Sequence, residues 1–272
     1  MRTCRVIVLL LLTAPPAIAE PVEDPWAQVP ALPTSCYTVD DTFTDKANAA
    51  SATLQSEKSR QDSVNQAISQ QFGTIDIMDL QQRMVTFMME HPEDAQRVML
   101  AMQQGGQQAQ EQTPEMSERS VQLETWLKDL TAEYAAALRQ TTGPMEEQRQ
   151  ALRNTKEWCS QASFAKDAAL RREENSAYDS LCTRWWKEGG AFHSWFAEFK
   201  EFQIEFAAQQ DEYADTTKVN YEIMGIPTDQ YRPTWYLSAP IEYLRRAVQV
   251  FPKRNFAPVS EEQTDECEVG HG

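Results

Sequence analysis

Residues 178–213 read YDSLCTRWWKEGGAFHSWFAEFKEFQIEFAAQQDEY. Tyr178, Leu181, Trp185, Phe192, Trp195, Phe199, Phe202, Phe206 and Tyr213 fall on a single register of alternating three- and four-residue steps. Only Glu188 and Gln209 are polar on that register. Such spacing puts the side chains on one face of a helix. Gly189-Gly190 interrupts the run and reads as a hinge or a tight helix–helix corner.

The prolines extend this reading outward. Residues 15–33 hold six and residues 225–258 hold five, whereas residues 34–224 hold only Pro92, Pro114 and Pro144. Each of those three sits where a helix can begin, the position at which proline is least disruptive. The stretch between is rich in Ala, Gln, Glu, Leu and Met, all good helix formers, and almost lacks strand-type alternation. The expected fold is all-α: an elongated helical bundle with long coiled-coil-like helices. An irregular segment containing proline and aromatic residues follows it.

The individual helices are expected as follows. The first spans about 42–72, with Thr42 and Asp45 at capping-box spacing and Gly73 as its stop. A second covers about 79–90, and a third runs from Pro92 to Gln104. Residues 103–112 hold six glutamines and Gly105-Gly106, and read as a connection. Thr113-Pro114 opens the next helix, on which Met116, Leu123, Leu127, Leu130, Tyr134 and Ala137 form a stripe. Gly143-Pro144 is expected to end it. Residues 145–188 contain neither glycine nor proline. They read either as one helix about 66 Å long or as two broken near 175. There Arg171–Ser176 has no apolar member, and Ser176 and Asp179 have cap spacing. A short helix is expected at about 240–251.

The organisation that follows is a signal peptide at 1–19, an extended proline-rich segment at 20–40 and a helical bundle at 41–224. An irregular segment with a short helix occupies 225–260, and an acidic tail 261–272. The leader reads from Arg2 and Arg5, the apolar run Val6–Thr13 and the small residues before Ala19. Cleavage near Ala19 is expected to deliver the protein to the periplasm or the exterior. There the four mature cysteines, Cys36, Cys159, Cys182 and Cys267, are expected to form two disulfides. The favoured pairing joins Cys159 and Cys182 each to a terminal cysteine. The alternative joins them to each other and Cys36 to Cys267.

The formal net charge is −16, and the leader, with two basic residues and no acid, makes the mature chain more negative still. That argues against nucleic acid as a partner. No apolar run after the leader is long enough to span a bilayer. Close metal-ligand pairs are missing: no two mature cysteines lie within Cys-x-x-Cys distance, and only His91, His193 and His271 are present. Glu198, Glu201 and Glu205 read as a solvated helix face. No cofactor is expected.

The function expected from these features is non-catalytic binding of another protein or an envelope component, with self-association left open. Trp195, Phe199, Phe202 and Phe206 are the partner-binding candidates, weighed against a role as bundle core. One alternative is a periplasmic Met-rich copper-binding or stress protein using Met84, Met88, His91, Met99 and Met102, since thioether and imidazole suit Cu(I). Another is a helical hydrolase with a dispersed site.

Overall fold

Trp185 ends one helix and Ala191 begins the next, so the aromatic run is two helices joined by a tight corner. Gly189 has φ +77°, a left-handed conformation that side chains disfavour. A Cβ at Gly190 would lie 2.8 Å from the Lys187 carbonyl oxygen. The glycine pair is therefore required by the corner itself.

A computed structural model of the chain describes residues 24–34, 41–92, 113–223 and 225–251. Helices account for 81% of these residues and no strand occurs among them, which makes the fold all-α. A 3-10 helix at Pro25–Gln28 precedes α1 (Asp41–Phe72), α2 (Ile77–Glu90), α3 (Pro114–Arg153), α4 (Gln161–Trp185), α5 (Ala191–Ile223) and α6 (Trp235–Val250). The leader, the helix expected at 92–104, the glutamine-rich connection and the acidic tail lie outside the described residues.

The packing order differs from the chain order. α6 lies between α1 and α5, while α3 lies against both α5 and α4. The main core is built where α5 meets its neighbours, around Trp185, Trp186, Phe192, Trp195, Phe196, Phe199, Leu237, Leu244 and Phe251. α5 has 33 residues, about 50 Å at 1.5 Å per residue, and so reaches a second cluster. There Val219, Tyr221 and Ile223 meet Ile68 of α1, Met84 of α2 and Ile226. Gln61, which interrupts the apolar stripe of α1, is buried and donates to the Gln230 carbonyl at 2.8 Å. Asn65 one turn on donates to the Arg232 carbonyl at 2.7 Å. The polar breaks in the α1 stripe thus hold the loop before α6.

Two helix ends and one terminal segment depart from the sequence expectation. α3 does not stop at Gly143-Pro144 but continues through Pro144 to Arg153. An interior proline costs about 3 kcal/mol, and packing on both sides outweighs it: Leu130 and Thr142 are buried before it and Arg149 is engaged after it. α6 starts at Trp235, five residues before the expected 240, and runs through the buried Pro240. Burial of Leu237 at 0% exposure draws that first turn into the core. Part of the segment expected to be extended, 24–34, also carries structure. Asp24 caps its short helix, accepting from the Trp26 amide at 2.9 Å. Trp26 packs edge-on against Tyr243 with Lys200 over its ring, and His193 donates from Nε2 to the Pro33 carbonyl at 2.9 Å.

Of the two readings left open for 145–188, neither holds as stated: there is no break near 175, and the segment is not one helix. The chain turns instead at 154–160, where Asn154 ends α3 and the Ser160 hydroxyl accepts from the Ser163 amide. The polar stretch 171–176 is continuous helix because part of it is buried against α3. Arg149 of α3 donates to Asp167 Oδ1 at 3.1 Å and to Glu174 Oε2 at 2.7 Å. Arg171 donates to Asp167 Oδ2 at 2.6 Å, and Tyr178 donates to Glu174 at 3.4 Å. Two cations face two carboxylates, so the buried charges balance.

Burial raises the Asp167 pKa, but hydrogen bonds from Arg171 and Arg149 outweigh it and hold the carboxyl below its usual range. A depressed carboxyl contributes stability that is complete above its unfolded value, about 3.9, and is lost as pH falls through the lower folded value. Asp167→Asn leaves the two arginines sharing the one remaining carboxylate of the network, Glu174, and is expected to cost about 3–5 kcal/mol at neutral pH. Urea melts from pH 2 to pH 7 will measure this, and the variant should lose less stability than the wild type across the acid limb.

The unbroken α4 also bears on the cysteines. Cys159 lies two residues before it and Cys182 near its end, which puts them about 34 Å apart at 1.5 Å per residue. A disulfide needs Cα atoms within about 7 Å. Peptide mapping under non-reducing conditions is therefore expected to yield no Cys159–Cys182 peptide. Recovery of that peptide would require α4 to be a hairpin.

Candidate functional site

The α5 ladder is covered along most of its length and open at one end. From Trp195 its rings stack in sequence: Trp195 on Phe199 at 4.7 Å, Phe199 on Phe202 at 6.5 Å, and Phe202 on Phe206 at 6.2 Å. Trp195 is fully buried and donates from Nε1 to the Leu123 carbonyl of α3 at 2.9 Å. On the other side, Tyr243 of α6 stacks on Phe199 at 6.5 Å. Burial pushes the Tyr243 phenol up to about 12, so it stays neutral.

α3 and α6 leave a cleft of about 310 Å³ over α5. Phe199, Phe202, Gln203 and Phe206 contribute to it from α5, Leu123 and Glu124 from α3, and Trp235, Glu242 and Arg246 from α6. Arg246 bars one end. It pairs with Glu124 across the cleft and donates to Glu242 on its own helix at 3.0 Å. Burial raises the Glu242 pKa, but hydrogen bonds from Arg245 and Arg246 outweigh it and keep the carboxylate ionised. At the other end Trp235 meets Phe206 edge-on at 5.9 Å and is 38% exposed. Beside the cleft, Arg119 lies over the Phe202 ring at 5.9 Å and pairs with Glu205 and, at 3.8 Å, with Glu198.

The four aromatic candidates from the sequence thus separate. Trp195 is core. Phe199 and Phe202 are buried yet line the cleft, and Phe206 lies at its mouth. Glu198, Glu201 and Glu205 are exposed, as a solvated face requires. Of the methionine candidates, two lie among the described residues. Met84 is buried in the second cluster and Met88 packs against it. His91 lies exposed at the end of α2 with its ring against Phe87, and Met99 and Met102 lie outside the described residues. Among the described residues, no group of three His, Cys, Asp or Glu side chains is placed to hold a metal ion. No described helix is long and apolar enough to cross a membrane.

Sequence reasoning missed Gln203, Trp235, Glu124 and Arg246. The i, i+4 pair Glu242–Arg246 reads only as a surface ion pair, and Glu124 stands 122 residues from Arg246. Nothing local to either residue signals that they meet. Chemically, the lining offers aromatic surface, one carboxamide and neutralised charges, which suits binding. No family model matches the chain, and no curated protein or solved structure matches it either.

The two ends of the ladder are expected to respond differently to truncation. Phe199→Ala removes a ring stacked on three neighbours and should cost about 3–5 kcal/mol. Trp235→Ala, at the open mouth, should cost less than about 1 kcal/mol. Urea denaturation of both variants checks the difference.

Proposed function

We propose that this is an exported, non-catalytic helical protein, periplasmic or secreted, that binds another protein or an envelope component in the cleft between α3, α5 and α6. The observation that carries the reading is the uncovered end of the aromatic ladder. Phe206 and Trp235 present apolar surface to solvent at the mouth of a concave site, and such surface marks interaction sites more often than it serves packing. Export is supported by the apolar leader at the start of the chain and by the four cysteines beyond it, which offer no close metal-ligand pair and suit an oxidising compartment. Binding as the mode of action is supported by the lining, whose carboxylates Glu124 and Glu242 are both engaged by Arg246.

The test replaces Trp235 with a photo-crosslinking phenylalanine derivative and, as a control, Trp126. Trp126 is comparably exposed but does not line the cleft. Irradiation in cells should give a discrete adduct from position 235 and none from position 126. The same pattern from both positions, or none from either, would sink the reading.

A further inference from the structure

Gln203 is the polar residue in the cleft that the fold does not explain. It sits next to Phe202 on α5, is 9% exposed and lines the cleft. Its carboxamide makes no hydrogen bond to any described residue. Of the other buried glutamines among the described residues, Gln61 donates to a main-chain carbonyl and to Asn65, and Gln210 does not line the cleft. Its amide atoms are not among the fully enclosed side-chain atoms of the described residues that lack a partner, so the carboxamide opens onto the cleft and can pair with what enters it. A carboxamide presents a donor and an acceptor side by side, the complement of the C=O and N–H of a peptide unit.

The rest of the cleft narrows the choice. Its volume, about 310 Å³, is at the small end of the range for ligand sites, about 300–1,000 Å³. That accommodates one bulky side chain rather than a long polymer. The charges around it are not evenly displayed. Glu124, Glu198 and Glu205 are about half exposed, while their cations Arg119 and Arg246 lie beneath them at 30% and 21%. The rim therefore shows solvent its carboxylates, on a chain that is already strongly acidic.

We infer that the cleft takes a peptide segment with a bulky apolar side chain flanked by basic residues, the side chain against Phe202, Phe206 and Trp235 and its main-chain amide on Gln203. This rests on the binding role proposed above and adds the class of ligand. A purely apolar ligand would cover Gln203 without pairing it. A glycan would make little use of the acidic rim.

The test titrates the mature protein by NMR with five probes: Ac-Lys-Phe-Lys-NH2, Ac-Glu-Phe-Glu-NH2, Ac-Lys-Ala-Lys-NH2, chitotriose and indole. The first peptide should bind at least tenfold more tightly than the other two and than chitotriose, shifting resonances of Gln203 and Trp235. Gln203→Leu should weaken it about tenfold while leaving indole binding unchanged. Gln203→Glu, which keeps the shape and loses the donor, should also weaken it, covering the case in which the leucine variant misfolds. If indole binds in the cleft but the basic peptide has no advantage, or if chitotriose binds best, the peptide inference falls and the binding cleft stands. If no probe binds there, both fall.

Discussion

The stacking of aromatic rings along α5 is the constraint on which the rest of the molecule depends. Helical steps of three and four bring Trp195, Phe199, Phe202 and Phe206 over one another, so the ladder is a property of one helix before any other helix arrives. It must then be covered. α3 covers one side, fixed in register by the hydrogen bond from Trp195 to the Leu123 carbonyl. α6 covers the other, through Tyr243 and Phe251. Phe196, off the main register and fully buried, shows that α5 is enclosed on more than one face. The cleft follows from the same geometry: beyond the Arg246–Glu124 bar the two flanking helices no longer close over the ladder, and its last rings are left open.

A different principle holds α4. Its face toward α3 carries Asp167, Arg171 and Glu174 instead of leucines; both carboxylates pair with Arg149 of α3, and Asp167 also pairs with Arg171. A buried ion network adds little net stability compared with an apolar interface, because desolvation consumes much of the Coulombic gain. It does discriminate strongly against other registers, since any slip along the helix leaves a buried charge unpaired. The aromatic side of the bundle can tolerate small displacements. The α3–α4 side cannot, and this gives a physical reason for a continuous helix where the sequence left a break open. The same logic holds at smaller scale on α1, where Gln61 and Asn65 fix the loop before α6 by pairing its carbonyls.

Local physics was enough for much of this. The helical class, the bounds of α1 to within a residue, the start of α3 at Thr113-Pro114 and the glycine corner before α5 all follow from propensity, capping and chirality, which act over a few residues and are written in adjacent positions. So was the identity of the aromatic helix that floors the cleft. The errors came where a distant neighbour overrode a local preference. Pro144 and Pro240 lie inside helices because packing outweighs their cost, and the open choice at 171–176 falls to helix because Glu174 is answered by Arg149 of α3 and Arg171 by Asp167. The placement of the last helix between the first and the fifth, the meeting of Glu124 with Arg246, and the division of one aromatic seam into core and open site were decided by the tertiary structure alone. Each depends on which surfaces come together from different helices, and a periodic apolar face states that it must be covered without stating by what.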